Sequence, residues 1–147
     1  MELNFDNSFA KELKDFYEFT KADKSTSPKL IKFNDSLAKK LGPEWEKLKS
    51  DSGLLIFSGN EAPKGSQSLS QVYSGHQFGG FSPLLGDGRA ILLGEVVDKD
   101  NIRRDIQLKG SGRTIFSRGG DGKSALGPVL REYLVSEAMH SLNIPTT

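Results

Sequence analysis

The chain has 147 residues, no cysteine, two histidines and a formal net charge of +1, enough for one domain with a modest core or for a piece of something larger. Disulfides and thiolate metal sites are excluded, a zinc site has little to draw on, and a nearly neutral chain carries no global field for nucleic acid, so any anion site must be local. The acidic N-terminus lacks a basic region followed by an apolar run and no stretch approaches membrane-spanning length, so a soluble cytoplasmic protein with no nucleic-acid or membrane partner is expected.

Residues 1–70 read as a helical and looped polar extension, with a lysine-rich linker, Lys21-Ala-Asp-Lys-Ser-Thr-Ser-Pro28, between apolar clusters. Asn34 predicts an N-cap for a short helix with Leu37 and Leu41 on one face, closed by Gly42 and Pro43. Trp45, Leu48, Leu54, Leu55, Ile56 and Phe57 follow as core candidates. No catalytic pattern stands in this half, which is expected to pack against the second.

Residues 71–147 differ in kind. Twelve of the 16 glycines fall between Tyr73 and Pro128, which predicts several tight backbone turns close together. His76, in Ser74-Gly-His-Gln-Phe-Gly-Gly80, reads as a hydrogen-bonded structural residue. Gly86-Asp-Gly-Arg89 stands directly before a buried-type strand; its glycines would admit backbone amides to an anion and Arg89 offers a fork of donors, although Asp-Gly is also a common turn signal. Arg89 to Val97 and Ile102 to Lys109, joined by Asp98-Lys-Asp-Asn101, predict a β-hairpin. On its second strand Ile102, Ile106 and Leu108 share one face, and Asp105, Gln107 and Lys109 the other.

The loop that follows, from Gly110 to Gly127, carries Arg113, Arg118, Asp121, Gly122 and Lys123, and a loop of this length in a compact unit is more often functional than incidental. Its Gly122-Lys-Ser124 ending suggests a phosphate-binding P-loop. The required glycine five positions before Gly122 is instead Ser117, however, and Ala-Leu-Gly-Pro128 interrupts the first helical turn, so that reading is set aside. Neither Gly86-x-Gly nor Gly110-x-Gly completes a dinucleotide fingerprint, as Ile91 and Ile115 stand where the last glycine belongs. A helix is predicted from Pro128 to Asn143, with Leu130, Leu134, Ala138 and Leu142 at helical spacing. Glu132 and Glu137 lie on this helix ~140° apart, so one orientation cannot aim both at Lys109; Glu132 is the expected partner. A lysine on a strand and a glutamate on the next helix form the arrangement by which kinase-like folds position a lysine for nucleotide phosphates.

Tyr73-Ser-Gly-His-Gln-Phe-Gly-Gly-Phe81, Leu85-Gly-Asp-Gly-Arg-Ala90, Leu108-Lys-Gly-Ser-Gly-Arg-Thr114, Ser117-Arg-Gly-Gly-Asp-Gly-Lys123 and Leu130-Arg-Glu-Tyr-Leu-Val-Ser-Glu-Ala-Met139 together resemble the selenoprotein O (YdiU) family. The match is specific over residues 71–147 and looser at Asn7-Ser-Phe-Ala10, Pro28 to Leu41 and Phe57-Ser-Gly-Asn60. The resemblance implies an α+β chain: an N-terminal helical extension over 1–70, then over 71–147 the small lobe of a kinase-like fold, an antiparallel sheet plus one helix, with the second lobe absent. It implies a protein adenylyltransferase that binds ATP in reversed orientation and transfers AMP to Ser, Thr or Tyr hydroxyls of protein acceptors with Mg²⁺ or Mn²⁺; UMP transfer from UTP is also attributed to bacterial members. The implied nucleotide-binding positions are Gly86, Gly88, Arg89, Lys109, Asp121 and Gly122, with Glu132 as the partner of Lys109. In the family the general base and metal ligands lie downstream of Thr147, so the chain reads as an N-terminal part of a longer enzyme, inactive alone. A non-catalytic nucleotide- or partner-binding module is the alternative.

Overall fold

The computed structural model describes residues 2–147 as an α+β fold with an antiparallel sheet. In chain order its elements are α1 (Ser8–Glu12), β1 (Tyr17–Phe19), α2 (Asp35–Leu41), α3 (Pro43–Glu46), α4 (Asp51–Phe57), β2 (Leu69–Gln71), β3 (Gly75–Gln77), β4 (Gly80–Ser82), β5 (Ala90–Val97), β6 (Arg103–Lys109) and α5 (Leu126–Ser141). Four strands form one sheet in the order β1-β2-β5-β6, and β3 and β4 form a separate two-stranded hairpin. No helix among the described residues is long and apolar enough to cross a membrane.

The sheet is built around β5. Ile91 to Val96 are all buried, as expected of an apolar run covered on both faces. The β5–β6 hairpin forms where the sequence predicts it, pairing Ala90 with Lys109 and Val97 with Arg103. Its turn is closed by Asp98, whose Oδ1 accepts from the amides of Asp100 and Ile102 at 2.9 Å each, while Arg104 Nε donates to Oδ2 at 3.0 Å. The Ile102 amide, followed by the other donors, holds the Asp98 carboxyl below its ordinary range.

A bulge interrupts this pairing. Leu92 lies opposite Gln107 and Gly94 opposite Ile106, leaving Leu93 as the extra residue. Strict alternation would put Leu93 and Glu95 on one face. With the bulge, Leu93 and Val96 share the larger core with Leu3, Ala38, Trp45, Leu48, Ile56 and Leu108, while Leu92 packs with Ala10 and Leu69. Glu95 is thereby turned to α1, where its Oε1 accepts from Ser8 Oγ at 2.9 Å and from the Phe9 amide at 2.6 Å. A buried carboxylate thus caps a helix start whose own N-cap residue, Asn7, makes no side-chain cap bond.

The first seventy residues are not only helix and loop. They supply β1 and β2, with Tyr17 opposite Gln71 and Phe19 opposite Leu69. Three-residue strands are too short to display an alternation, so only the partner strand defines them. Residues from both sides of position 70 share the larger core. Asn34 caps α2 as predicted, its side chain accepting from the Leu37 amide at 3.1 Å. Leu37 itself is exposed and Ala38 is the buried residue, so the inward stripe lies one position from the expected one. Trp45, Leu48 and Ile56 are buried as expected, but Leu55 and Phe57 are exposed; α4 turns Gly53 inward, where a Cβ would come within 1.8 Å of the Leu48 carbonyl oxygen.

Helix α5 starts at Leu126, two residues before the expected Pro128. It ends in a left-handed Asn143, φ 56°, with the amides of Asn143 and Ile144 bonded to the carbonyls of His140 and Met139 at 3.0 Å each. That closure satisfies two of the last free carbonyls. None of its residues is buried; the expected stripe of Leu130, Leu134 and Leu142 is exposed.

Candidate functional site

The predicted site residues gather at one end of the β5–β6 hairpin. Lys109 is the last residue of β6, Gly110 donates its amide to the Arg89 carbonyl at 2.7 Å, and Arg89 immediately precedes β5. Lys109 Nζ lies 3.1 Å from Glu132 Oε2, each side chain about half exposed at 51%. Glu137 is turned away and accepts from Asn34 Nδ2 at 2.8 Å, as the ~140° separation of the two glutamates requires. A pair this exposed contributes at most ~1 kcal/mol to stability.

The Gly86–Arg89 turn is welded to the loop after β6. Asp87 is buried; its Oδ1 accepts from the Tyr73 hydroxyl at 2.9 Å and its Oδ2 from the Gln71 amide at 3.1 Å. Desolvation and the Asp87 carboxylate push the Tyr73 phenol up to about 12. From the other side, Thr114 Oγ1 donates to the Asp87 carbonyl and Ser117 Oγ to the Gly88 carbonyl, both at 2.6 Å. Phe116 closes the joint: a Cβ on Gly86 would come within 2.4 Å of its ring, and one on Gly88 within 3.0 Å of its carbonyl oxygen. These two glycines therefore have a packing reason beside any role toward a ligand. Asp87, Thr114 and Ser117 escaped the sequence reading, because an aspartate between two glycines reads as a turn and only tertiary contacts reveal its burial.

The long loop is closed on itself. The Gly112 amide donates to the Gly122 carbonyl at 3.2 Å, and a bridge pairs Ser111 with Lys123. Gly122 is left-handed at φ 68°, and a Cβ there would meet the Gly112 carbonyl oxygen at 1.9 Å. Asp121 Oδ1 accepts from the Lys123 amide at 2.9 Å, a local turn that leaves its Oδ2 without a hydrogen bond to the described residues. Lys123 Nζ pairs with Asp23 at 3.3 Å. Arg89 and Arg113 are exposed and make no side-chain bond to the described residues, whereas Arg118 donates to Gln77 Oε1 in the β3–β4 hairpin. His76 lies in that hairpin against Phe81, ring centroids 5.1 Å apart, and makes no side-chain hydrogen bond to the described residues. Lys109 and Arg89 thus stand at neighbouring backbone positions at this end of the hairpin, with the closed loop after them. No group of three or more His, Asp or Glu residues positioned to hold a metal occurs among the described residues.

A family model described as protein adenylyltransferase SelO matches residues 1–147. The chain belongs to the SelO family. Similar proteins include the protein nucleotidyltransferase YdiU of Cereibacter sphaeroides (strain ATCC 17025 / ATH 2.4.3), 58% identical over 147 residues, covering 100% of this chain and 30% of that protein. The protein of the same name from Sphingopyxis alaskensis is 55% identical, again over 100% of this chain and 30% of the relative. That of Shouchella clausii is 56% identical over 98% of this chain and 29% of the relative. The chain spans about three-tenths of the length of these curated relatives.

Proposed function

We propose that this chain is the nucleotide-binding part of a protein adenylyltransferase, the small lobe of a kinase-like fold that works in the cytoplasm. The observation that carries the reading is the 3.1 Å pair between Lys109 on a strand and Glu132 on the following helix, across a glycine-rich loop. A half-exposed pair does little for stability, so its value lies in where it holds the lysine. Gly86, Gly88, Arg89, Lys109, Asp121 and Gly122 bind ATP, with UTP as the alternative donor, and Glu132 orients Lys109.

In the transfer, a Ser, Thr or Tyr oxygen of the protein acceptor attacks the α-phosphorus. The new O–P bond forms as the bond to the bridging oxygen breaks, and the electron pair leaves on pyrophosphate. Lys109 and Arg89 are suited to that developing charge, as both are cations whose donors match phosphate oxygens. The acceptor proton needs a base, and the family's Mg²⁺ or Mn²⁺ needs ligands. In this reading both are supplied by the longer protein of which this chain is a part.

The test is transfer of α-labelled AMP to protein by the full-length enzyme. Lys109→Ala should lower transfer at least ~100-fold, as expected when a transition-state cation is removed, and Lys123→Ala should stay within a few-fold. Loss of activity in the Lys123 variant alone would favour a P-loop reading. The 147-residue chain by itself should transfer nothing. The alternative is a non-catalytic nucleotide- or partner-binding module, which a full-length protein that binds ATP without label transfer would establish.

A further inference from the structure

An open cavity of about 610 Å³ lies beside Lys109, between the extended segment Lys24–Leu30, helix α4 and the end of β6. Its volume falls within the range of small-ligand sites, about 300–1,000 Å³. Four lysines line it, Lys24, Lys29, Lys109 and Lys123, and no carboxylate does. Lys109 and Lys123 are matched by Glu132 and Asp23. Lys24 and Lys29 form no ion pair with the described residues, so the cavity wall carries uncompensated positive charge. Ser111, whose buried hydroxyl has no hydrogen-bond partner among the described residues, also lines the cavity.

The segment that carries the two free lysines is tied down at several points. Thr20 Oγ1 and Ser70 Oγ lie 2.9 Å apart, and the Asp23 amide donates to the Ser111 carbonyl at 2.7 Å. Asn60 grips Ser25 twice, accepting from its amide at 2.6 Å and donating to its carbonyl at 2.9 Å. These ties fix the backbone on both sides of Lys24, at the start of the segment that lines the cavity.

We infer that this cavity receives the polyphosphate end of the nucleotide, with Lys24 and Lys29 as phosphate contacts supplied by the N-terminal segment. The inference rests on the nucleotide reading above and adds residues to it from a part of the chain in which the sequence shows no chemistry. A polyphosphate is the fitting ligand because the cavity adjoins Lys109, is lined by hydroxyls as well as ammonium groups, and has excess positive charge that a neutral ligand would leave unmatched.

The experiment uses full-length protein with Lys24→Ala and Lys29→Ala combined, and separately Lys29→Glu, each checked for an unchanged thermal midpoint. Calorimetric affinities are measured for ATP, AMP and inorganic tripolyphosphate, and α-label transfer is measured in parallel. ATP and tripolyphosphate should bind about tenfold more weakly to the double variant and weaker still to Lys29→Glu, with AMP unchanged within about twofold. Equal ATP affinity in parent and both variants, with transfer by the parent intact, overturns the inference and leaves the proposed function standing. Lysine-dependent tripolyphosphate binding with no transfer by the parent supports the cavity as a polyphosphate site and removes the transferase reading. Failure of the parent to bind either ATP or tripolyphosphate overturns both.

Discussion

Tyr73 and Asp87 show how one carboxylate can hold several segments together. Asp87 ties the Gln71 amide and the Tyr73 hydroxyl to the turn before β5. Because the Tyr73 phenol is raised from 10.0 to about 12, folding favours its neutral form. The stability this contributes is fully present below pH 10 and is lost as the pH rises from 10 through 12. Ultraviolet titration should therefore show one tyrosine ionising near 12, absent in Tyr73→Phe, whose stability should depend less on pH across that window. Lys109 and Glu132 behave in the opposite sense. Lys109→Ala and Glu132→Gln should shift unfolding free energy by less than ~1 kcal/mol, because the pair is solvated, so a large loss of transfer in either variant could not be ascribed to misfolding. The sequence distinguished Glu132 from Glu137 because helical geometry alone separates them. It did not reveal Asp87, whose burial depends on the joint with Thr114, Phe116 and Ser117.

At the level of elements, the bulge in β5 controls the most. Gly94 sits at φ 141°, where a Cβ would lie 2.4 Å from Asn7 Oδ1 and 2.8 Å from the Phe5 ring. Gly94→Ala should destabilise the fold by ~2 kcal/mol or more through strain and steric conflict, measured by denaturant unfolding. Removal of the α2 cap in Asn34→Ala should cost ~1 kcal/mol, and the lost bond to Glu137 should also loosen α5, visible as faster amide exchange there. The β5–β6 hairpin was legible because eight and seven residues give alternation room to show. The bulge was not, since an apolar run buried on both faces looks the same with or without a shifted register. Strands β1 and β2 were hidden for another reason: each exists only through its partner.

In the molecule as a whole, residues 3–10 contribute to the core. Leu3 and Ala10 are buried, Asn7 Nδ2 donates to the Gly65 carbonyl at 2.8 Å, and Arg103 pairs with Asp6. Deletion of residues 2–10 would strip Glu95 of both its donors and remove Leu3 and Ala10 from the core, a change that costs several kcal/mol. That variant should show little cooperative unfolding by circular dichroism. That the extension packs on the rest of the chain is legible in its apolar clusters, but where it packs is not, because the contacts join residues as far as 87 positions apart.

Those distant contacts also set an order of events for the growing chain. Ser8 and Phe9 wait for Glu95, and β1 waits for β2 before it can pair. During synthesis the N-terminal segment therefore leaves the ribosome with its apolar side chains unburied, and closure must follow the appearance of β5. Loop-closure entropy makes such non-local closure slow compared with helix formation. The amide and hydroxyl that open α1 thus wait on a carboxylate 86 and 87 residues further along the chain.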